Sequence, residues 1–266
     1  MNYLCGEYFE RRCEFTWDST SLIRRENIKN KSIFCKTEFL PSLASASGLP
    51  EHFTLLTHNS DINITQSMAE VALDRLPEIS AWYCQNPLCS HPKIKALPIG
   101  IANPRWPHGN VATFEKVRHE KNKKSNLIYV NFNTQTNRAE RLKCVANINQ
   151  DVKTKFETIG SPQEQDFYYN THEPYLRELS QSFFCISPEG NGADCHRHWE
   201  SLYMKTIPIV TASPLTHYLW SLKLPLIIIK DWSDYKNLEL TETLYEETWG
   251  DFDPKELSWD FFIEGI

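Results

Sequence analysis

The chain has 266 residues, 41% of them hydrophobic, and its 28 Lys and Arg against 34 Asp and Glu leave a formal charge of −6. That length supports a sizeable core in one large or two small domains, and the acidic balance removes the electrostatic case for nucleic acid or an anionic membrane surface as partner. No run approaches the ~20 apolar residues of a membrane span, and Met1-Asn2-Tyr3-Leu4-Cys5-Gly6-Glu7 lacks the regions of a signal peptide, so the reading is a soluble, cytoplasmic chain. Eight cysteines, at 5, 13, 35, 84, 89, 144, 185 and 195, show no C-x-x-C spacing and are read as mostly free thiols.

Residues 1–30 have no clear period; a short strand and then an amphipathic helix around Ser19 to Asn27 are expected. Ile33-Phe34-Cys35-Lys36-Thr37 reads as a strand, and so does Phe53-Thr54-Leu55-Leu56-Thr57, which ends in His58-Asn59-Ser60-Asp61. A helix is expected from Ser67 to Leu76. Ile79 to Cys84 and Ile94 to Ile99 read as further strands, joined by a loop bearing Pro and Cys. Strands with helical connections indicate an α/β unit over about residues 30–110, inside an N-terminal domain of residues 1–120. From Glu115 to Asn126 the composition turns to charge, which reads as a solvated connector and marks the boundary.

The second domain, residues 121–240, opens with Leu127-Ile128-Tyr129-Val130-Asn131-Phe132, an apolar run of the kind central parallel strands use. A loop to Asn137 follows, then a helix from Arg138 to about Ile148. A short strand near Phe156-Glu157-Thr158-Ile159 and a helix from Glu173 to Gln181 come next. Phe183 to Ile186, Ile207 to Val210 and Leu226 to Ile229 read as strands. The acidic tail, 241–266, is expected to be partly helical and to pack back on the N-terminal domain. Repeated β-α-β order predicts parallel sheets with ligands at the carboxyl ends of the strands.

Chemistry concentrates in Ser187-Pro188-Glu189-Gly190-Asn191-Gly192-Ala193-Asp194-Cys195-His196-Arg197-His198-Trp199-Glu200. This glycine loop joins a strand to a helix expected to start at Asp194, its N-cap, and to run to Met204. Such a unit turns free backbone N–H groups and the positive end of a helix dipole toward one spot, which suits an anion. On a helical wheel Cys195, Trp199 and Leu202 share the side facing the sheet, while Arg197 and Glu200 face the opposite way, into the cleft. An arginine there can hold a diphosphate, and a glutamate one turn later can accept from ribose hydroxyls. An ordinary i, i+3 surface ion pair is the alternative. Cys195, His196 and His198 point to three sides of the expected helix, so no metal site is read. Asp251-Phe252-Asp253 resembles a D-x-D element but lies in the acidic tail, where helix-start acids are the simpler account. No G-x-x-x-x-G-K-[ST] loop supports a kinase.

The segment from Phe184 through Gly192, Asp194-Cys195-His196-Arg197 and Trp199-Glu200 to Ile207-Pro208-Ile209-Val210 resembles the signature of exostosin-like glycosyltransferases. Weaker echoes occur in His58-Asn59-Ser60-Asp61, in Gln85-Asn86 with His91-Pro92-Lys93, and in Leu97-Pro98-Ile99-Gly100-Ile101. The short length resembles the compact exostosin-like enzymes of large algal viruses more than the Golgi forms. The resemblance implies a GT-B architecture of two Rossmann-like domains with parallel sheets facing across a cleft, the N-terminal one reduced here. It implies inverting, metal-independent transfer to a glycan or glycoprotein acceptor. No cofactor is required beyond a nucleotide sugar as co-substrate. UDP-xylose is the first expectation, with galactose, glucuronic acid and fucose as other sugars. Donor contacts are then expected from Asn131, Asn133, Arg138, Ser187, Glu189, Gly190, Asn191, Gly192, Arg197 and Glu200. Glu189 stands where many relatives carry arginine, which shifts the phosphate contact to Arg197 and Arg138.

Inversion by single displacement needs a base for the acceptor proton. Asp61, at the carboxyl end of an apolar strand, is the first candidate; His58 serves instead or orients it, and Glu7 and Glu38 are less favoured. An Asx-turn or N-cap role is the alternative for Asp61. Trp82, Tyr83 and Trp106 are candidate acceptor platforms, against ordinary core packing. A nucleotide- or carbohydrate-binding protein without catalysis is the rival reading.

Overall fold

The computed structural model describes residues 3–148 and 165–263, so the strand expected near Phe156 to Ile159 lies outside the described residues. The N-terminal part supplies β1 (Phe15–Trp17), β2 (Leu22–Arg24), β3 (Ser32–Lys36), β4 (Phe53–His58), β5 (Ile64–Thr65), β6 (Ile79–Cys84), β7 (Pro87–Leu88) and β8 (Ile94–Ala96). Six of these form one sheet in the order β2-β1-β3-β4-β6-β8, parallel throughout except for the β1–β2 pair. A second, fully parallel sheet has the order β12-β11-β10-β9, built from β9 (Asn126–Val130), β10 (Ser182–Ile186), β11 (Ile207–Thr211) and β12 (Ile227–Ile229). β5 and β7 pair separately. Helices are α1 (Gly6–Arg12), α2 (Leu40–Leu43), α3 (Gln66–Arg75), α4 (Val111–His119), α5 (Arg138–Asn147), α6 (Gln165–Ser180), α7 (His196–Tyr203), α8 (Pro214–Ser221), α9 (Glu242–Trp249) and α10 (Trp259–Phe262).

Strands buried on both faces read as continuous apolar runs, which is why β4 and β10 are recognisable from sequence. Three expectations are corrected. The segment expected to be a helix around Ser19 to Asn27 contains β2 and follows β1, while the helix of this region is α1, which seats the fully buried Phe9. The stretch expected to be a solvated connector is in its first half the end of α4, held to the core by Phe114 and Val117, one turn apart on its inner face. The strand expected to reach Ile99 stops at Ala96, just before a proline that offers no ladder donor.

The two sheets share one core. Phe34 of β3, Leu56 of β4 and Tyr83 of β6 belong to the same buried cluster as Cys185 of β10 and Trp199, Leu202 and Tyr203 of α7. Burial of a side chain such as Leu202 contributes about 2 kcal/mol. Tyr203 also accepts from Leu4 N through its hydroxyl at 3.0 Å, and the ring of Phe262 in α10 meets Trp199 at 5.7 Å. α7 is therefore enclosed by both halves. Among the described residues no helix is long and apolar enough to cross a membrane.

Candidate functional site

The loop after β10 leaves the sheet at Ser187, whose N–H still bonds Ile209 O at 2.9 Å. α7 begins at His196 with Cys195 as an N-cap that makes no side-chain cap bond, one residue later than expected. Asp194 is the reason. Its buried carboxylate accepts from Ile99 N at 2.7 Å, from Trp199 Nε1 at 2.9 Å, and from His198 Nδ1 at 3.1 Å. It is an anchor between the two halves, not a cap.

The expected cradle of free N–H groups is partly occupied. Ala193 N donates to Asn63 Oδ1 at 3.0 Å and Asp194 N to Asn86 Oδ1 at 2.8 Å, both acceptors coming from the N-terminal part. Asn191 Nδ2 reaches Asp61 Oδ2 at 3.2 Å. The N–H groups of Gly190, Asn191 and Gly192 make no hydrogen bond among the described residues. The two glycines serve different ends. A Cβ on Gly192 would lie 2.3 Å from Asn86 Nδ2, whereas one on Gly190 would meet nothing closer than 3.7 Å. Gly192→Ala is accordingly expected to lower stability by about 1–3 kcal/mol through overpacking, and Gly190→Ala to stay within about 1 kcal/mol of the parent. Urea unfolding of the two variants checks the contrast.

Behind the loop, Phe132 carries two guanidinium groups, that of Arg197 at 5.5 Å from the ring centroid and that of Arg141 at 5.7 Å. Arg197 Nε donates to Asn131 O at 2.9 Å and its Nη1 to Pro188 O at 3.5 Å. Arg141 donates through Nε to Glu189 O at 3.0 Å and through Nη1 to Asn133 O at 2.6 Å. Every oxygen these two groups contact is a backbone carbonyl, and no carboxylate pairs with either among the described residues. Burial, and then the charge of Arg197, push Arg141 down to about 10. Asn137 Nδ2 ties Gly190 O into the same group at 2.9 Å.

Arg138, expected here, is exposed and bonds Gln135 Oε1 at 3.2 Å. Arg141, one turn further along α5, takes the place assigned to it. The signal was present: Arg141, Cys144 and Ile148 recur at helical spacing as the buried face of α5 and its end. Asn131 and Asn133 contribute through their carbonyls, since Asn131 Nδ2 donates to Tyr129 OH at 2.9 Å and Asn133 Oδ1 accepts from Gln135 N at 2.8 Å. Ser187 is buried beside Cys195, its Oγ 3.7 Å from Sγ. The Glu189 carboxyl is half-buried, and desolvation followed by the charge of Glu140 raises its pKa.

Glu200 is 6% exposed and faces no open cleft, because Tyr175 and His172 of α6 cover its side of α7. Its Oε2 accepts from Tyr175 OH at 2.6 Å and its Oε1 lies 3.9 Å from His172 Nε2, so the surface ion pair with Arg197 does not form. Cys195, His196 and His198 diverge as their spacing suggests, with His196 Nδ1 on Gly100 O at 2.8 Å and His198 on Asp194.

On the N-terminal side, Asp61 is exposed, past the end of β4, and touches the loop through Asn191. Thr65, not Asp61, caps α3, accepting from Met68 N at 3.3 Å. His58 is corrected as a base or orienting group. It is 1% exposed, its Nδ1 accepts from Asn59 N at 2.7 Å, its Nε2 lies 2.9 Å from Pro98 O, and burial holds it neutral at about 4. Glu7 is paired with Arg11 at 3.1 Å, and Glu38 is exposed in the short turn after β3. Trp82 and Tyr83 are corrected as sugar platforms: both are core residues, and Trp82 Nε1 donates to Thr57 Oγ1 at 2.9 Å. Trp106 is 47% exposed, with Arg105 5.8 Å from its ring. Set beside known proteins, the chain matches no family model, and no curated sequence is significantly similar to it.

Proposed function

We propose that the chain is a GT-B glycosyltransferase that moves a sugar from a nucleotide sugar to a glycan hydroxyl with inversion and without a metal. A UDP-sugar is the donor class, and UDP-xylose is the first sugar to try. The observation that carries this reading is the pair of guanidinium groups, Arg141 and Arg197, near Phe132, whose oxygen partners are all carbonyls, with the Cys195 sulfur 4.0 Å from Arg197 Nη1. No carboxylate among the described residues offsets these two cations, buried Arg141 and half-buried Arg197, and a bound anion relieves the repulsion between them. They sit at the carboxyl ends of β9 and β10, where ligands of parallel sheets bind. The unclaimed N–H groups of Gly190, Asn191 and Gly192 add donors of the kind that bind phosphate oxygens. On departure of the sugar, the same cations stabilise the diphosphate leaving group.

Asp61 is the base in this reading, as a carboxylate that the N-terminal part brings against the glycine loop. The primary experiment is a thermal-shift panel of UDP- and GDP-sugars followed by a donor-hydrolysis assay. Stabilisation by one nucleotide class and slow hydrolysis are expected, and the absence of any shift across the panel sinks the donor-site assignment. Asp61→Asn is expected to cut turnover by about 10²–10⁴-fold while donor affinity changes by less than about 3-fold. Steady-state kinetics with a parallel binding titration reads both. Retained turnover moves the base elsewhere. A non-catalytic binding protein is the second reading, favoured by the bond from Asn191 Nδ2 that already engages Asp61. Nucleotide binding by the parent chain with no hydrolysis or transfer would select it.

A further inference from the structure

The eight cysteines are free thiols, and burial pushes seven of them up. Cys195 stands apart by its neighbours. The His198 ring lies between two groups that only accept, Asp194 Oδ1 at 3.1 Å from Nδ1 and Ser187 O at 3.2 Å from Nε2. A neutral imidazole offers one N–H, so both contacts are satisfied only by an imidazolium. That cation sits one turn from Cys195, and Arg197 Nη1 reaches Sγ at 4.0 Å. Asp194 and Arg197 on the same segment, Arg141 from α5, Glu189 in the loop and Cys185 on β10 are the other titratable groups in the field of the sulfur. Burial resists ionisation of the thiol, but His198 and then Arg197 outweigh it and hold the thiol at about 6, while His198 is held above its ordinary range.

We propose that Cys195 is a thiolate nucleophile beneath the glycine loop and the site at which soft electrophiles and peroxides modify this chain. The inference goes beyond the transferase reading and does not depend on it. With iodoacetamide, the sulfur forms a bond to carbon and iodide leaves. With hydrogen peroxide, the sulfur takes one oxygen as the O–O bond breaks; the sulfur is oxidised to a sulfenic acid, and the departing hydroxide is protonated to water. Either product places new bulk beside Arg197 Nη1.

Accessibility and nucleophilicity predict opposite orders, which makes the test decisive. Cys89 is the more exposed thiol, Cys195 only 9% exposed, yet burial raises Cys89. The intact folded chain is treated with limiting iodoacetamide from about pH 6 to about pH 9, spanning the ordinary thiol range, and mapped by peptide mass spectrometry. Cys195 is expected to carry most of the label near neutral pH, at a rate that levels off, while labelling of Cys89 climbs with pH. Cys89 labelled ahead of Cys195 near neutrality, or both rates rising together, overturns the proposal. As a second readout, the ultraviolet absorbance of thiolate at neutral pH is expected to persist in Cys89→Ser and to vanish in Cys195→Ser. Equal absorbance in the two variants overturns it as well.

Discussion

Asp194→Ala is expected to destabilise the fold by about 3–5 kcal/mol, the cost of leaving a buried charge without its partner. The carboxylate is buried, and its donors come from different places: Ile99 N from the segment after β8, Trp199 Nε1 and His198 Nδ1 from α7. Removing it strands all of them at once, so the penalties overlap instead of adding. Against a typical net stability of about 5–15 kcal/mol, the loss is a large fraction of what holds the two halves together. Urea unfolding reads it directly. The pH dependence identifies the charge. His198 is buried, and the Cys195 sulfur and then Asp194 raise it to about 10. A raised imidazole stabilises fully below its unfolded value of about 6.5 and loses that contribution as pH rises through the folded value. The gap between parent and variant is therefore widest near neutral and slightly acid pH and narrows toward pH 10. Asp194→Asn, which keeps an acceptor oxygen without the charge, is expected to fall between the two. A loss under about 1 kcal/mol for Asp194→Ala would mean that the anchor is not what joins the halves.

What could be read from the sequence divides along a physical line. β4 and β10 are covered on both faces, so burial is written locally as apolar runs. α5 begins at Arg138, the expected residue, after a loop rich in Asn and Thr. α1 has no side-chain cap and spans two turns, too short for a period to emerge, and the charges of α4 mask the single pair Phe114 and Val117 that bury it. The site divides in the same way. A strand, a glycine loop and a helix with an arginine one turn in form a local pattern, and Arg197 was legible within it. The partners that spend the loop's N–H groups, Asn63 and Asn86, lie 130 and 108 residues from the groups they accept from, and no local pattern encodes such a meeting. Glu200 looked like a cleft residue on a wheel because a wheel describes one helix; enclosure of α7 by both halves is a property of the whole fold. For Arg141 the helical spacing with Cys144 and Ile148 marks burial, but only the shared proximity to Phe132 makes it a companion of Arg197.

That companionship yields the second large effect. Arg197→Ala and Arg141→Ala are each expected to weaken binding of UDP by about 10–150-fold, the value of one charge-assisted contact of about 1.5–3 kcal/mol. The two residues differ in what else they hold. Arg197 joins the end of β9 to the loop through Asn131 O and Pro188 O, and Arg141 joins Asn133 O to Glu189 O, so both also brace the backbone. A purely structural brace predicts parallel losses of stability and affinity. A site for an anion predicts a different pattern, because the two like charges repel in the empty site: burial and then Arg197 lower Arg141, although against its own burial Arg197 is raised by Cys195 and its neighbours. Removing one cation relieves its neighbour, so the ligand-free variant loses little stability while the ligand-bound state loses a contact. Calorimetric titration of UDP at low and high salt, paired with urea unfolding of the ligand-free variants, separates the two. The expected outcome is affinity lost in both variants, a weaker salt dependence than in the parent, and ligand-free stability within about 1 kcal/mol. Unchanged affinity with lowered stability would return Arg141 and Arg197 to the role of backbone clamps and remove the main support for a nucleotide at this loop.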